Sequence, residues 1–174
     1  RKIFNNINFS KNIHLLLIGP IGASSQSKIN ILTLKHNITH IPTIPHDEII
    51  QYLNYANVCI IPFLKTKLTS SILPNKIFEY SAAGKPTVMT NFNNYLYEFE
   101  EYLFISDTMD EFISQILLNI ESPPNKSELK KFASNFDWKK ISHKYYNYLK
   151  QITDESVPLT DVFHKKTSIE VENL

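Results

Sequence analysis

A chain of 174 residues with 43% hydrophobic and 20% charged side chains has the make-up of one globular domain, long enough to bury a core without disulfide staples. Its formal charge of +1 supplies no broad positive field, which argues against nucleic acid as a partner, and its longest apolar runs, 13-IHLLLIG-19 and 58-VCIIPFL-64, fall far short of the roughly 20 residues that span a bilayer. The single cysteine, Cys59, cannot form a bridge within the chain and, inside 58-VCIIP-62, reads as a small core residue rather than a nucleophile.

The sequence opens on Arg1 with neither Met nor a signal-like apolar stretch, so it reads as cut from something longer. Residues 1 to 11 place Ile3, Phe4 and Ile7 at helical spacing, and 13-IHLLLIG-19 follows as a short buried strand. The alternation then repeats: a helix at 28-KINILTLK-35, a strand at 38-ITHI-41, a helix at 46-HDEIIQYLNYA-56 whose Asp47 and Glu48 suit its positive end, and a strand at 57-NVCII-61. A further helix is expected from about Pro74 to Ala83, with Pro at the first helical position and Gly84 as a left-handed stop, before a strand at 86-PTVMT-90. The strand 102-YLFIS-106 leads to a capping box, Thr108 with Glu111, in front of 110-DEFISQILLNI-120, whose apolar residues follow the 3.6-residue period. Five near-continuous apolar strands alternating with helices predict an α/β fold, a Rossmann-like parallel sheet covered by helices on both faces.

Past the Pro-containing break 121-ESPPN-125, two extra C-terminal helices are expected, at 126-KSELKKFASN-135 and, capped by Asp137, from about Trp138 to Gln151. Residues 1–151 thus read as one domain and residues 152–174, which carry no sustained period, as a mobile tail. The sequons at Asn8, Asn37 and Asn125 arise readily in so Asn-rich a chain and imply nothing about secretion.

The chemistry concentrates in 69-TSSILPNKIFEYSAAGKPTVMT-90. On a helical wheel Lys76, Glu79, Tyr80 and Ala83 share one face, while Ile77, Phe78, Ser81 and Ala82 share the other. The helix starts where a loop leaves the carboxyl edge of a parallel sheet, the place where ligands settle in open α/β folds. Amide groups of its first turn, the hydroxyls of Thr69, Ser70 and Ser71, and the Lys76 ammonium make an anion cradle suited to a diphosphate. Glu79, one turn along, can accept hydrogen bonds from two vicinal hydroxyls, as acidic residues do with ribose. A nucleotide sugar carries both groups. The same two residues also fit an exposed i,i+3 ion pair worth a few tenths of a kcal/mol.

The segment 74-PNKIFEYSAAGKPTV-88 resembles the Pro-x-Lys-x-Phe-Glu-Tyr-x-Ala-x-Gly-Lys-Pro-Val signature in the C-terminal domain of GT-B glycosyltransferases, in particular the retaining group-1, family-4-like enzymes of bacterial surface-polysaccharide synthesis. The likeness covers about residues 12 to 150. It includes Ile18-Gly19-Pro20, 37-NITHIPTIP-45, Tyr55-Ala56-Asn57-Val58, Ile61-Pro62-Phe63 and Asp137-Trp138 in the same order. It implies that the chain is the C-terminal, donor-binding half of a GT-B fold. Glu79 would then hold the ribose hydroxyls, and Lys76 would contact the donor phosphates and serve as the catalytic cation. Thr69, Ser70, Ser71, Pro74 and Asn75 would line the donor site, with Thr43 toward the base.

Two departures stand out: Ser71 occupies the place of the first Glu in the E-x7-E pair of many members, and Thr43 stands where a Gly is common. The resemblance also implies transfer of a sugar from a nucleotide diphosphate sugar, used as substrate with no cofactor and no metal, to a glycan or lipid-linked acceptor. An N-terminal domain, absent here, would carry the acceptor site. The enzyme would be cytoplasmic, and any peripheral membrane association would come through that absent half. A degenerate, non-catalytic nucleotide-binding module and a GT-B sugar-nucleotide epimerase are the alternatives. His36, His40 and His46 lack a metal-ligand spacing, and His14 reads as structural.

Overall fold

The structure, a computed structural model, describes residues 13–34 and 37–154. The helix expected at 1–11, His36 and the last twenty residues of the expected tail lie outside the described residues.

The apolar runs form five strands: β1 (Leu15–Ile18), β2 (Ile38–Ile41), β3 (Cys59–Ile61), β4 (Thr87–Thr90) and β5 (Phe104–Ser106). All are parallel to their partners. β1 pairs with β2 with Leu15 opposite Ile38, while β4 lies between β3 and β5 with Val88 opposite both Ile60 and Phe104. The ladders therefore form a two-stranded and a three-stranded set, where alternation alone suggested five strands side by side. β3 is only three residues long, and its backbone pairing is with β4; among the described residues no ladder links it to β1.

Between the strands run α1 (Gln26–Thr33), α2 (Ile49–Tyr55) and α3 (Lys76–Ala82); α4 (Met109–Glu121), α5 (Lys126–Ser134) and α6 (Trp138–Asp154) follow the last strand. The capping box on α4 forms as expected. Thr108 Oγ1 accepts from the Glu111 amide at 3.2 Å, and Glu111 Oε2 accepts from the amides of Asp107 and Thr108 at 2.9 and 3.2 Å. Gly84 ends α3 at φ +68°, with its amide donating to Ser81 O and the Lys85 amide donating back to Tyr80 O. That pair of bonds is a Schellman ending.

A side chain there would also be crowded: a Cβ would lie 3.3 Å from both Lys126 Cβ and Lys130 Cε, on α5. The start of α3 differs from expectation, because Pro74 lies just outside the helix and Asn75 is the entry residue. Pro74 O accepts from the Ile77 amide, and Asn75 O accepts from the Phe78 and Glu79 amides.

A 3-10 helix at Asn94–Phe99 was not anticipated. Its three-residue repeat puts Leu96 and Phe99 inside, a period too short to register as an α-helical stripe. Phe99 joins Phe78 of α3, Phe132 of α5 and Tyr102 in an aromatic cluster, with the Tyr102 and Phe132 rings stacked at 4.4 Å. This cluster backs α3. The neighbouring core centres on Val88, Phe112 and Ile116, with Val58, Ile60, Phe104 and Ile120 packed around them.

The chain divides into two compact units, Arg1–Ala133 and Ser134–Leu174. In the second, Asp137 caps α6 by accepting from the Lys139 amide at 2.7 Å. This helix continues to Asp154, into the residues first read as tail, and its Trp138, Tyr145, Tyr146 and Tyr148 are exposed.

Candidate functional site

Because β3 runs parallel to β4, the loop of residues 62–75 leaves the carboxyl edge of the three-stranded set and delivers the chain into α3. Ile77 and Ser81 are fully buried and Phe78 enters the aromatic cluster, which turns Lys76 and Glu79 outward. Ala82, placed by the wheel on the packed face, is instead exposed. Lys76 Nζ stands 3.5 Å from Glu79 Oε2, with the side chains 54% and 34% exposed, and 5.9 Å from the centre of the Tyr80 ring. An ion pair this open to water is worth no more than about 1 kcal/mol, so an incoming ligand can part it at little cost.

Burial, more than the nearby Cys59 and Glu79, pushes the Tyr80 phenol up to about 12. Burial likewise pushes the Cys59 thiol up to about 12, against the opposing pull of Lys85 and Lys76. Both groups stay protonated at neutral pH, and Cys59 is a core residue as the sequence suggested.

The loop hydroxyls are committed to the loop's own fold. Thr69 Oγ1 donates to Leu64 O at 2.6 Å and accepts from the Thr66 amide at 2.8 Å, while Ser70 Oγ donates to Thr66 O at 2.8 Å. Each hydroxyl has one proton to give, so Thr69 and Ser70 shape the loop in this structure rather than offering donors outward. Ser71 is exposed at the end of the 3-10 turn Thr69–Ser71. Pro74 is buried at the helix entry and Asn75 is exposed beside Lys76. In the first turn the Ile77 and Phe78 amides are bonded to Pro74 O and Asn75 O. Lys76 is exposed at the start of α3, and Lys65 and Lys67 are exposed earlier in the same loop. Thr43 is exposed in the loop that leaves β2.

A polar group missed in the sequence sits at the exits of β4 and β5. Asn91 Nδ2 donates to Asp107 Oδ1 at 2.7 Å and to Tyr97 Oη at 3.2 Å. Nothing in the local pattern announces it, because the residues come from three separate segments. His40 bonds Gly19 O at 2.9 Å and His14 bonds Thr39 Oγ1 at 2.8 Å, so both stabilise the β1 and β2 edges. Among the described residues no group of three His, Cys, Asp or Glu side chains comes together in a way that could hold a metal ion. A cavity of about 190 Å3 lies at the opposite, amino edge, between residues 54–57, the turn Gly84, Lys85, Pro86, and Asn119.

A family model described as Glycosyl transferases group 1 matches residues 2–121. The chain belongs to this family. Over 93 residues, 49% of this chain, it is 27% identical to a protein of Bacillus subtilis (strain 168) that carries the name teichuronic acid biosynthesis glycosyltransferase TuaH. The crystal structure of AviGT4, a glycosyltransferase involved in avilamycin A biosynthesis, superposes on 82% of the chain with a TM-score of 0.61 at 16% identity. That likeness establishes the fold, a glycosyltransferase Rossmann-like α/β domain of the GT-B kind with additional C-terminal helices. The chain spans 23% of the length of TuaH and 44% of AviGT4, so it corresponds to part of such a protein. Among the described residues no helix is long and apolar enough to cross a membrane.

Proposed function

We propose that this chain is the donor-binding half of an enzyme that transfers a sugar from a nucleotide diphosphate sugar to a glycan or lipid-linked acceptor, with retention at the anomeric carbon. The observation that carries the reading is the outward pairing of Lys76 and Glu79 on α3, at the carboxyl edge where the β3 loop meets the helix.

The Glu79 carboxylate accepts hydrogen bonds from the two ribose hydroxyls, and the Lys76 ammonium, released from Glu79, faces the diphosphate. As the glycosidic bond breaks, its electron pair goes to the leaving diphosphate, whose negative charge rises. A fixed cation there stabilises the transition state more than the bound donor, and no metal or cofactor is needed. Thr43 and the β2 exit lie toward the base, and Ser71 with Asn75 lies toward the phosphates. The acceptor site belongs to a separate N-terminal domain, in a cytoplasmic enzyme whose contact with the membrane face comes through that domain. The teichuronic acid named in its Bacillus relative fits a surface-polysaccharide acceptor.

Calorimetry with UDP, GDP, dTDP and ADP tests the site. At least one should bind the parent, and Glu79→Ala should weaken it by roughly 10- to 100-fold, the loss expected for hydrogen bonds to a charged group. A 2′-deoxy ligand should lose less. Equal binding by parent and Glu79→Ala would remove Glu79 from the site.

A further inference from the structure

The loop of residues 62–75 is held from outside by the segment that leaves β4. Thr90 Oγ1 donates to Phe63 O at the start of the loop, Asn94 Oδ1 accepts from Lys65 Nζ at 3.4 Å, and Asn93 Nδ2 donates to Ile72 O at 3.1 Å near its end. Between those anchor points the loop is tied by the Thr66 and Thr69 bonds already described. Only two residues separate Ile72 from the entry of α3 at Asn75.

The Asn93 amide is fixed at both ends, because its Oδ1 also accepts from the Tyr95 amide at 3.0 Å and caps the 3-10 helix Asn94–Phe99. Tyr95 N can only donate and Ile72 O can only accept, so the orientation of the amide has one solution. A half-buried asparagine thus joins the β4 exit to the strand-to-helix loop across 21 positions of sequence.

We infer that Asn93 is a positioning residue for the donor: through Ile72 it sets where the β3 loop ends and α3 begins, and so where Lys76 and Glu79 stand. The inference rests on the donor reading above. Sites that recognise a ligand need their side chains held to within a fraction of an ångström, and a loop clasped at both ends meets that need where a free loop of this length does not. Asn93 makes no contact with the donor in this scheme. Its effect passes through the backbone of residues 72–75.

Asn93→Asp tests the inference in the full chain, since aspartate keeps the shape and the acceptor for Tyr95 N but cannot donate to Ile72 O. Two measurements are paired: amide hydrogen exchange across residues 72–79, and calorimetric affinity for whichever of UDP, GDP, dTDP or ADP the parent binds. The expected result is exchange several-fold faster in residues 72–79 with β4 and α4 unchanged, and affinity lower by roughly three- to tenfold, the worth of one hydrogen bond. The affinity loss should shrink in a Glu79→Ala background, because the two residues act on one contact. Parent-like exchange would overturn the clasp. Faster exchange with parent-like affinity would overturn the positioning role. Should the parent bind none of the four diphosphates, the donor reading itself falls, and the exchange measurement alone decides whether Asn93 holds the loop.

Discussion

The two strand sets are packed very differently. Among the described residues the first βαβα stretch, from β1 to α2, contributes Ile38 to the buried apolar core, whereas the stretch from β3 to α5 contributes Cys59, Ile61, Ile77, Val88, Met89, Phe92, Leu96, Phe112 and others. The first half leaves Leu34 84% exposed and Tyr55 89% exposed. The difference teaches where rigidity is placed: α3, with Lys76 and Glu79, is seated on the half that holds most of the buried core and on its aromatic cluster, while Thr43 stands on the lightly packed half.

The largest expected effect follows from Phe112, fully buried against Val88 and Ile116. Phe112→Ala should cost about 3–5 kcal/mol of stability in denaturant unfolding. On the other half Leu34→Ser should change it by no more than about 0.5 kcal/mol. Similar losses for the two would erase the distinction between the halves.

Gly84→Ala should come next, at about 1–2 kcal/mol, from the left-handed φ of the Schellman ending and the crowding against Lys126. A thermal shift near zero would mean that the end of α3 can move, and with it the anchoring of Lys76 and Glu79. The smallest effect concerns Cys59 and alkaline pH. Its folded thiol titrates near 12 and its unfolded thiol near 9, so the folded state holds the extra proton between those values, and stability falls as pH rises through that window. Cys59→Ala should flatten that decline slightly in unfolding curves taken from pH 8 to 10.5, and an unchanged slope would show the thiol to be more accessible than its burial implies.

Much of this architecture was legible because the strands are short, mostly apolar runs and two helices announce an end: Thr108 with Glu111 opens α4, and Gly84 closes α3. The β2 limits match the apolar segment 38-ITHI-41 residue for residue. What escaped detection depends on residues distant in the chain. The 3-10 helix around Leu96 has too short a period to stand out, and the division of the strands into two ladders reflects which edges meet, a property no single segment carries. At the site, the outward face of Lys76 and Glu79 was readable from spacing. The inward commitment of Thr69 and Ser70 was not, since a hydroxyl's partner depends on how its own loop turns.

Lys85 gives these halves a chemical reporter. It is 8% exposed, and its ammonium donates at 3.0 Å to Asn54 O, bridging the last turn of α2 and the turn that follows α3. Lys76, Lys126 and Lys130 stand open to water. An acylating reagent applied to the native protein should therefore mark those three quickly and Lys85 late, at the moments when the lightly packed half parts from the other. Read by mass spectrometry, the delay at Lys85 against those three becomes a clock for the opening between the two halves.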